Sequence, residues 1–375
     1  MRKVKRKFSP KKTIKILIPL ILILLIIINW NNILITYQSK ITGYEKNTIS
    51  LFHELKIYDK IKDKKHSDTL EKIITTEYYN SKYLSNYLDI NYKNDNYFFE
   101  NINKLLALNY TSKEINTIYD KLSSDSIQIL SNNNYLKDIL NIISLDYFKE
   151  DNLKRYIDYS NNKDIEYTDL ITYVNAYLDY DYYTNIVEVE NPDDILVLTN
   201  KYHKLSSSYV PSDLETISNK YNKGNNNKMR HDAKIAFEDM CEAARSDNIY
   251  IYSGSAYRSY SYQENLYNRY VRTNGFADAE TFSARAGHSE HQTGLATDIM
   301  NSRDYISEND KEYTWLVDNS YKYGFILRYP KGKESITGYM YEEWHFRYVG
   351  KEVAKELKEL DLTYEEYIAR ELEKK

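Results

Sequence analysis

The chain is poor in the residues that bend, staple or loosen a backbone. Of its 375 residues one is cysteine, five are proline and ten are glycine. A single thiol, Cys241, excludes an internal disulfide and any cluster of cysteine metal ligands. It also excludes a lipid-modified cysteine anchor, because no cysteine follows the N-terminal apolar run. So little glycine and proline is incompatible with a collagen-like or Gly/Ser-linker chain and argues against a glycine-loop nucleotide enzyme over most of the length. A hydrophobic share of 42% is enough for a core, so wholesale disorder is not expected. The length suits about two domains plus tails.

Eight of the ten glycines fall between Gly254 and Gly350. Glycine reaches backbone shapes that other residues avoid, and such shapes gather at turns and sites. The chemistry is therefore expected in this zone. Broad basic surface is also lacking. The net charge is −4, and seven of the 51 basic residues lie in the first twelve positions. The remainder carries 44 basic against 55 acidic residues, which leaves no surface for nucleic acid.

What is present begins with a membrane signal. Ile16 to Ile28 is an unbroken apolar run containing Pro19. Lys15 can snorkel and Trp30 suits an interface, so a transmembrane signal anchor is expected over 13–35, behind a basic cytoplasmic tail at 1–12. No small-x-small cleavage site follows, which favours an uncleaved anchor over a removed signal peptide. The positive-inside rule then places everything after about residue 37 outside the cytoplasm.

Residues 40–188 read as a mostly α-helical spacer. Ile115, Ile118, Tyr119 and Leu122 follow helical spacing, as do Leu136, Ile139, Leu140 and Ile143. Thr111 with Glu114 forms a capping-box pattern. The strings NYLDINY (86–92) and AYLDYDY (176–182) echo one another and hint at repeated helical hairpins. Most of the 41 tyrosines in the chain are read as ordinary core and surface residues rather than sugar-stacking platforms. From about 189 the style changes. Asn225, Asn226 and Asn227 mark a loop, and Met229–Arg245 reads as an amphipathic helix with Cys241 on its core face. The segments from 249, 293 and 343 read as strands, and Thr363 with Glu366 caps a final helix. The fold class is α+β.

Three of the seven histidines, His288, His291 and His345, lie in the glycine-rich zone. His291 precedes Asp298 by seven residues, and His345 follows Glu342 and Glu343. Two histidines and a carboxylate make a typical catalytic zinc set with one position left open to water, and a nearby glutamate can act as base; on spacing alone a set of structural histidines is the equal alternative. Strand alternation alone would put Glu343, not Glu342, on the face of His345. His53, His66, His203 and His231 show no ligand spacing. His288 is equally a pocket candidate or an ordinary loop residue, Arg285 by default a solvated charge, and Trp344 a core residue beside the site.

Three blocks carry a resemblance. SEHQTGLATD (289–298) is similar to the Ser-x-His-x-x-Gly-x-Ala-x-Asp signature of the VanY-type zinc D-alanyl-D-alanine carboxypeptidases. SGSAYRSYSYQ (253–263) resembles their Tyr-Arg-Ser-x-x-x-Gln segment, and 323–350 resembles their closing block with its Glu-x-Trp-His core. The resemblance spans roughly 190–368 and implies a small mixed zinc-peptidase domain, of the D-Ala-D-Ala carboxypeptidase and hedgehog-like kind, over 189–375. It implies Zn2+ held by His291, Asp298 and His345, Glu342 as base and then acid, and Arg258 on the oxyanion. Ser289, Gln263 and Tyr257 become candidate substrate residues, and a peptidoglycan stem peptide or its precursor the substrate. The implied reaction is removal of the terminal D-alanine. An L,D-carboxypeptidase, an endopeptidase of the same fold and an inert wall-binding protein remain the alternatives.

Overall fold

The computed structural model describes residues 10–161, 163–224 and 227–372, with side chains from Ile18 onward. Residues 1–9 of the basic tail and Asn225 and Asn226 of the expected loop lie outside the described residues. The chain divides into two compact units, 1–143 and 144–375.

In the first unit, α1 (Pro10–Ile28) and α2 (Trp30–Thr42) meet at Asn29. The single span expected over 13–35 is broken there. Asn29 lies in a non-helical conformation and its side-chain amide donates to the Leu25 carbonyl at 3.0 Å. The two helices are bent by 62°. No single helix among the described residues is long and apolar enough to cross a membrane, although this pair passes that test together. Beyond it lie short helices. Among them α3 (Ser112–Lys121) opens on the Thr111–Glu114 capping box, with both reciprocal bonds made, and buries Ile115 and Ile118. Leu136, Ile139 and Ile143 are buried as their spacing implies, but only Ile139–Ile142 is helical there.

The abundance of tyrosine and asparagine has a local explanation. The buried hydroxyl of Tyr44 accepts from the Ser67 N–H at 3.0 Å, and that of Tyr110 from the Leu136 N–H at 2.9 Å. Asn116 accepts from the Asn91 N–H at 2.8 Å and donates to the Asp89 carbonyl at 2.8 Å. Turns between short helices leave backbone groups without intrahelical partners. Amide and phenol side chains from neighbouring segments satisfy them. Tyr44, Tyr87 and Tyr110 are accordingly core residues.

The second unit starts at Ser144, so the boundary expected at 188/189 falls inside it. Helices α4 (Leu153–Ser160) and α5 (Tyr167–Asn175) come first. Two short ladders follow, β1 (Val187–Glu188) with β2 (His203–Lys204) and β3 (Leu214–Thr216) with β4 (Lys228–Arg230). The apolar residues 195–198 between β1 and β2 form no strand. Next comes the amphipathic helix α6 (His231–Ser246), whose first turn starts two residues later than expected because Met229 pairs in β4.

The central sheet is antiparallel, with β5 (Tyr252–Ser255), β6 (Ala296–Met300), β8 (His345–Tyr348) and β7 (Phe325–Leu327) in that spatial order. Phe237, Met240 and Cys241 of α6 pack with Ile299, Phe325 and Phe346 from the sheet to form the core. Alternation then turns the neighbours of these residues, Asp298 and His345, towards the opposite face. Helices α7 (Tyr260–Asn274) and α8 (Phe276–Phe282) wall that face. Helices α9 (Lys311–Asn319), α10 (Lys351–Leu360) and α11 (Tyr364–Arg370) complete the unit.

Candidate metal centre and cleft

Sheet register delivers two of the three candidate ligands. Asp298 in β6 lies directly opposite His345 in β8, which brings side chains on one face to within a few ångströms. His291 comes from the 3-10 turn Glu290–Thr293 just before β6. That turn ends at Gly294 in the left-handed region, φ 70°. A Cβ there would stand 2.8 Å from the Leu214 side chain, so the turn needs glycine.

The nitrogen assignments follow from hydrogen bonding. His291 Nδ1 lies 2.7 Å from the Ala256 carbonyl, which can only accept, so Nδ1 carries the proton in the neutral ring. Its unprotonated Nε2 then faces Asp298 Oδ1 at 3.3 Å. His345 Nε2 points at Glu290 Oε2, 3.4 Å away, and its Nδ1 faces the same Asp298 oxygen at 3.1 Å. Two imidazole lone pairs and a carboxylate oxygen thus converge without a proton between them. Such a set is stable only with a shared cation or an added proton. Tetrahedral coordination with arms of about 2.0–2.1 Å requires ligand separations of about 3.3 Å, and the observed values match it. All three residues are buried.

Without a cation the electrostatics show the same demand. Burial opposes ionisation of Asp298, yet His291 and Arg258 hold its carboxyl well below the usual range. Burial pushes His291 down to about 4, with Arg258 acting in the same direction. Burial also disfavours charged His345, but hydrogen bonds to Asp298 and Glu290 outweigh it and raise that ring to about 9. The two histidines differ because His345 has carboxylates on both sides and His291 has a carbonyl on one.

Glu342 lies in the loop before β8, not in the strand. Its N–H donates to the Tyr329 carbonyl at 3.2 Å, and its Oε2 sits 3.7 Å from His345 Nδ1. Strand alternation therefore does not apply to it, and Glu342, not Glu343, lines the cleft. Burial pushes its carboxyl up to about 7. Arg258 is anchored by Ser255 Oγ at 2.9 Å and Asp298 Oδ2 at 2.5 Å, and also lines the cleft.

These residues floor a cleft of about 330 Å³. At one end lie Arg258, Glu342 and the three candidate ligands. Leu266 and Tyr270 of α7, with Phe282 and Met340, form an apolar wall. The pattern of the VanY D-alanyl-D-alanine carboxypeptidase family matches residues 226–351, which hold all of these side chains. YodJ of Bacillus subtilis (strain 168) is 40% identical over 190 residues, covering 48% of this chain and 70% of the relative. The chain belongs to the VanY D-alanyl-D-alanine carboxypeptidase family. A D-alanyl-D-alanine carboxypeptidase of Enterococcus faecalis (strain ATCC 700802 / V583) is 40% identical over 157 residues, covering 39% of this chain and 58% of the relative. The solved structure of a VanY D,D-pentapeptidase in complex with Zn(II), from a VanB-type resistance cassette, is 36% identical. It covers 46% of this chain and 98% of that one at a TM-score of 0.41.

Within the VanY segment, the other expected site residues divide. Ser289 and Gln263 line the cleft. Gln263 Nε2 donates to the Ala284 carbonyl at 2.8 Å, which leaves its buried Oε1 without a partner among the described residues. The free atom is an acceptor, so it suits a peptide N–H and repels a carboxylate. Tyr257 is not part of the cleft wall. Its N–H pairs with Lys228 and that of Arg258 with His291, so the chain carries Arg258, not Tyr257, to the site. His288 is not a pocket residue either, because its Nδ1 is bonded to the Asn200 carbonyl at 2.8 Å. Arg285 is not a free solvated charge. It bonds Glu280 at 3.0 Å and lies over the Tyr183 ring. Trp344 packs on the core and also lines the cleft.

Sequence reasoning missed Glu290, Tyr329 and the arginines behind them. Glu290 stands inside the ligand signature, and Arg328 and Arg347 interrupt the apolar strings FILRY and HFRYV. A charge in a core strand was the available signal, since such residues are rarely buried unpaired. In the first unit His66 also comes within metal-ligand distance of Asp68 and Glu71. Glu71, however, is already engaged by His66 at 2.8 Å and the Glu45 N–H at 2.6 Å.

Proposed function

We propose that this enzyme is a zinc-dependent carboxypeptidase that removes the terminal D-alanine from peptidoglycan stem peptides or their precursors. The observation that carries it is the convergence of His291 Nε2, His345 Nδ1 and Asp298 Oδ1 beside a buried glutamate. The donor set fits zinc, and these three atoms would hold it. When bound, zinc supplies a Lewis acid that polarises the scissile carbonyl and makes water nucleophilic near neutral pH.

The chain's own groups do the rest. Glu342 takes the proton of the attacking water at its carboxylate and delivers it to the departing amine nitrogen. Arg258, fixed by Ser255 and Asp298, aims its remaining N–H groups at the oxyanion. Gln263 Oε1 accepts a substrate N–H, and the Ser289 hydroxyl, which lines the same cleft, donates to the terminal carboxylate. Arg258→Ala is expected to lower kcat by about 10²–10³-fold with a smaller change in KM, because the donor acts on charge that develops in the transition state. Steady-state kinetics on a stem peptide check this.

The location completes the proposal. Ile18 to Ile28 carry exposed apolar side chains, which supports α1 and α2 as a membrane anchor despite the bend. The N-terminus would be cytoplasmic and the catalytic unit extracytoplasmic, with the helical hairpins of 40–188 setting its reach. The deciding experiment gives detergent-solubilised full chain a pentapeptide and a tetrapeptide stem, with and without chelator, and reads products by mass spectrometry. Loss of one alanine from the pentapeptide alone supports the proposal. Cleavage of the tetrapeptide alone replaces it with L,D specificity, and no chelator-sensitive cleavage of either defeats it.

A further inference from the structure

Behind His345 lies a set of four buried charges that the reaction itself does not use. Glu290, Arg328, Arg347 and Glu365 have side chains no more than 1% exposed. Glu290 Oε1 accepts from Arg328 Nε at 2.7 Å and from Arg347 Nη1 at 3.0 Å, while its Oε2 faces His345 Nε2 at 3.4 Å. Arg328 turns its other two nitrogens to Glu365 of α11, at 2.9 and 2.6 Å. Arg347 spends Nη2 on the carbonyls of Ile195 and Val197, both at 2.9 Å. Two carboxylates and two guanidiniums balance, and the group runs unbroken from the C-terminal helix to the imidazole.

Stability alone is a poor reason for this arrangement. Taking four charges out of water is costly, and well-packed apolar residues commonly serve a core as well or better. A ligand histidine, by contrast, needs its second nitrogen fixed. A carboxylate there sets the tautomer, holds the ring angle and raises ligand basicity. Glu290 is placed to do so for His345, and it cannot turn away because both lone pairs of its far oxygen are taken by arginines. Arg328 is in turn aimed by Glu365, which lies beyond the 226–351 segment that matches the family.

We infer that Glu290 is a positioning residue for His345, and that Glu365 acts through Arg328 to hold it, which makes α11 a working part of the metal centre. The inference rests on the zinc reading above, and the two can fail separately. Zinc affinity of the full-length protein is measured by competition with a chromophoric chelator, alongside thermal unfolding of the metal-free form. Glu290→Asp keeps the buried charge balance but withdraws the carboxylate from His345 by one methylene. It should weaken zinc binding about 10–100-fold, with activity restored by excess zinc. Glu365→Gln should weaken it in the same direction by a smaller factor. Wild-type protein that binds no zinc would sink the zinc reading. Wild-type protein that binds zinc while Glu290→Asp binds it within twofold would overturn the inference, and so would a Glu365→Gln effect confined to thermal unfolding. Should Glu290→Asp fail to fold, the zinc affinity of Glu365→Gln decides alone.

Discussion

Asp298→Ala is expected to reduce kcat/KM on a pentapeptide stem by at least about 10⁴-fold, and zinc content from one ion per chain to nearly none. Of the three proposed ligands, Asp298 alone would bring negative charge to the metal. It is also the shared point of the site, since one oxygen faces both histidines and the other holds Arg258. Its removal takes away the anionic oxygen that the two imidazole nitrogens share and frees the guanidinium that should meet the oxyanion, so binding and catalysis fall together. The fold should survive, because Asp298 faces away from the core that Ile299 and Phe346 build on the other side of the sheet. A chelator should reproduce the loss in wild-type protein, and added zinc should reverse it. Zinc affinity should also rise with pH. His345, raised to about 9, holds a proton at neutral pH that the metal must displace, whereas His291, lowered to about 4, does not. Metal analysis with kinetics tests the set. Asp298→Ala activity within tenfold of wild type, without zinc, would end the ligand assignment.

How much of this could be read from the chain depends on how local each determinant is. His291 and Asp298 are separated by one turn and a short strand, so their spacing is a usable signal, and the glycines around them mark the turn. That His345 lies opposite Asp298 is a matter of sheet register between strands distant in sequence, and only the resemblance supplied it. Alternation failed at Glu342 because the strand starts at His345, after the residue in question. The charge cluster behind His345 was only half legible, since the arginines in FILRY and HFRYV flag buried charge but not its partners. Glu290, Arg328 and Glu365 are each ordinary surface types, and only packing shows them paired in the core. The N-terminal apolar segment shows the opposite limit. Composition marks an apolar segment, but the bend of 62° at Asn29 is not legible in it. The short helices were readable at caps and apolar spacing, while their asparagine and tyrosine ties, which join residues some 20–30 apart, were not.

Glu342→Gln should lower kcat/KM by about 10³–10⁴-fold, the upper range for loss of a general acid–base group, while zinc stays bound. Glu343→Gln should stay near wild type, since Glu343 does not line the cleft. The amide fills the same space but takes no proton, so KM should change little. Glu342 also predicts a pH signature. Burial raises it to about 7 in the metal-free fold, against 4.5 for an ordinary glutamate. A base must be ionised, so kcat/KM should rise with pH along an acid limb below about 7, displaced downward by the positive charge of bound zinc. The limb should vanish from the residual activity of Glu342→Gln. Stability carries the opposite sign. A carboxyl whose pKa is raised on folding adds nothing against the fold below about pH 4.5, and its full cost is felt above about 7. A rise of this size corresponds to at most roughly 3 kcal/mol. Metal-free Glu342→Gln should therefore be more stable than metal-free wild type at pH 8 and equal to it at pH 4, in denaturant titrations at both. Lower stability at pH 8 would show that this glutamate is a structural partner of His345 rather than an ionised base kept at a cost to the fold.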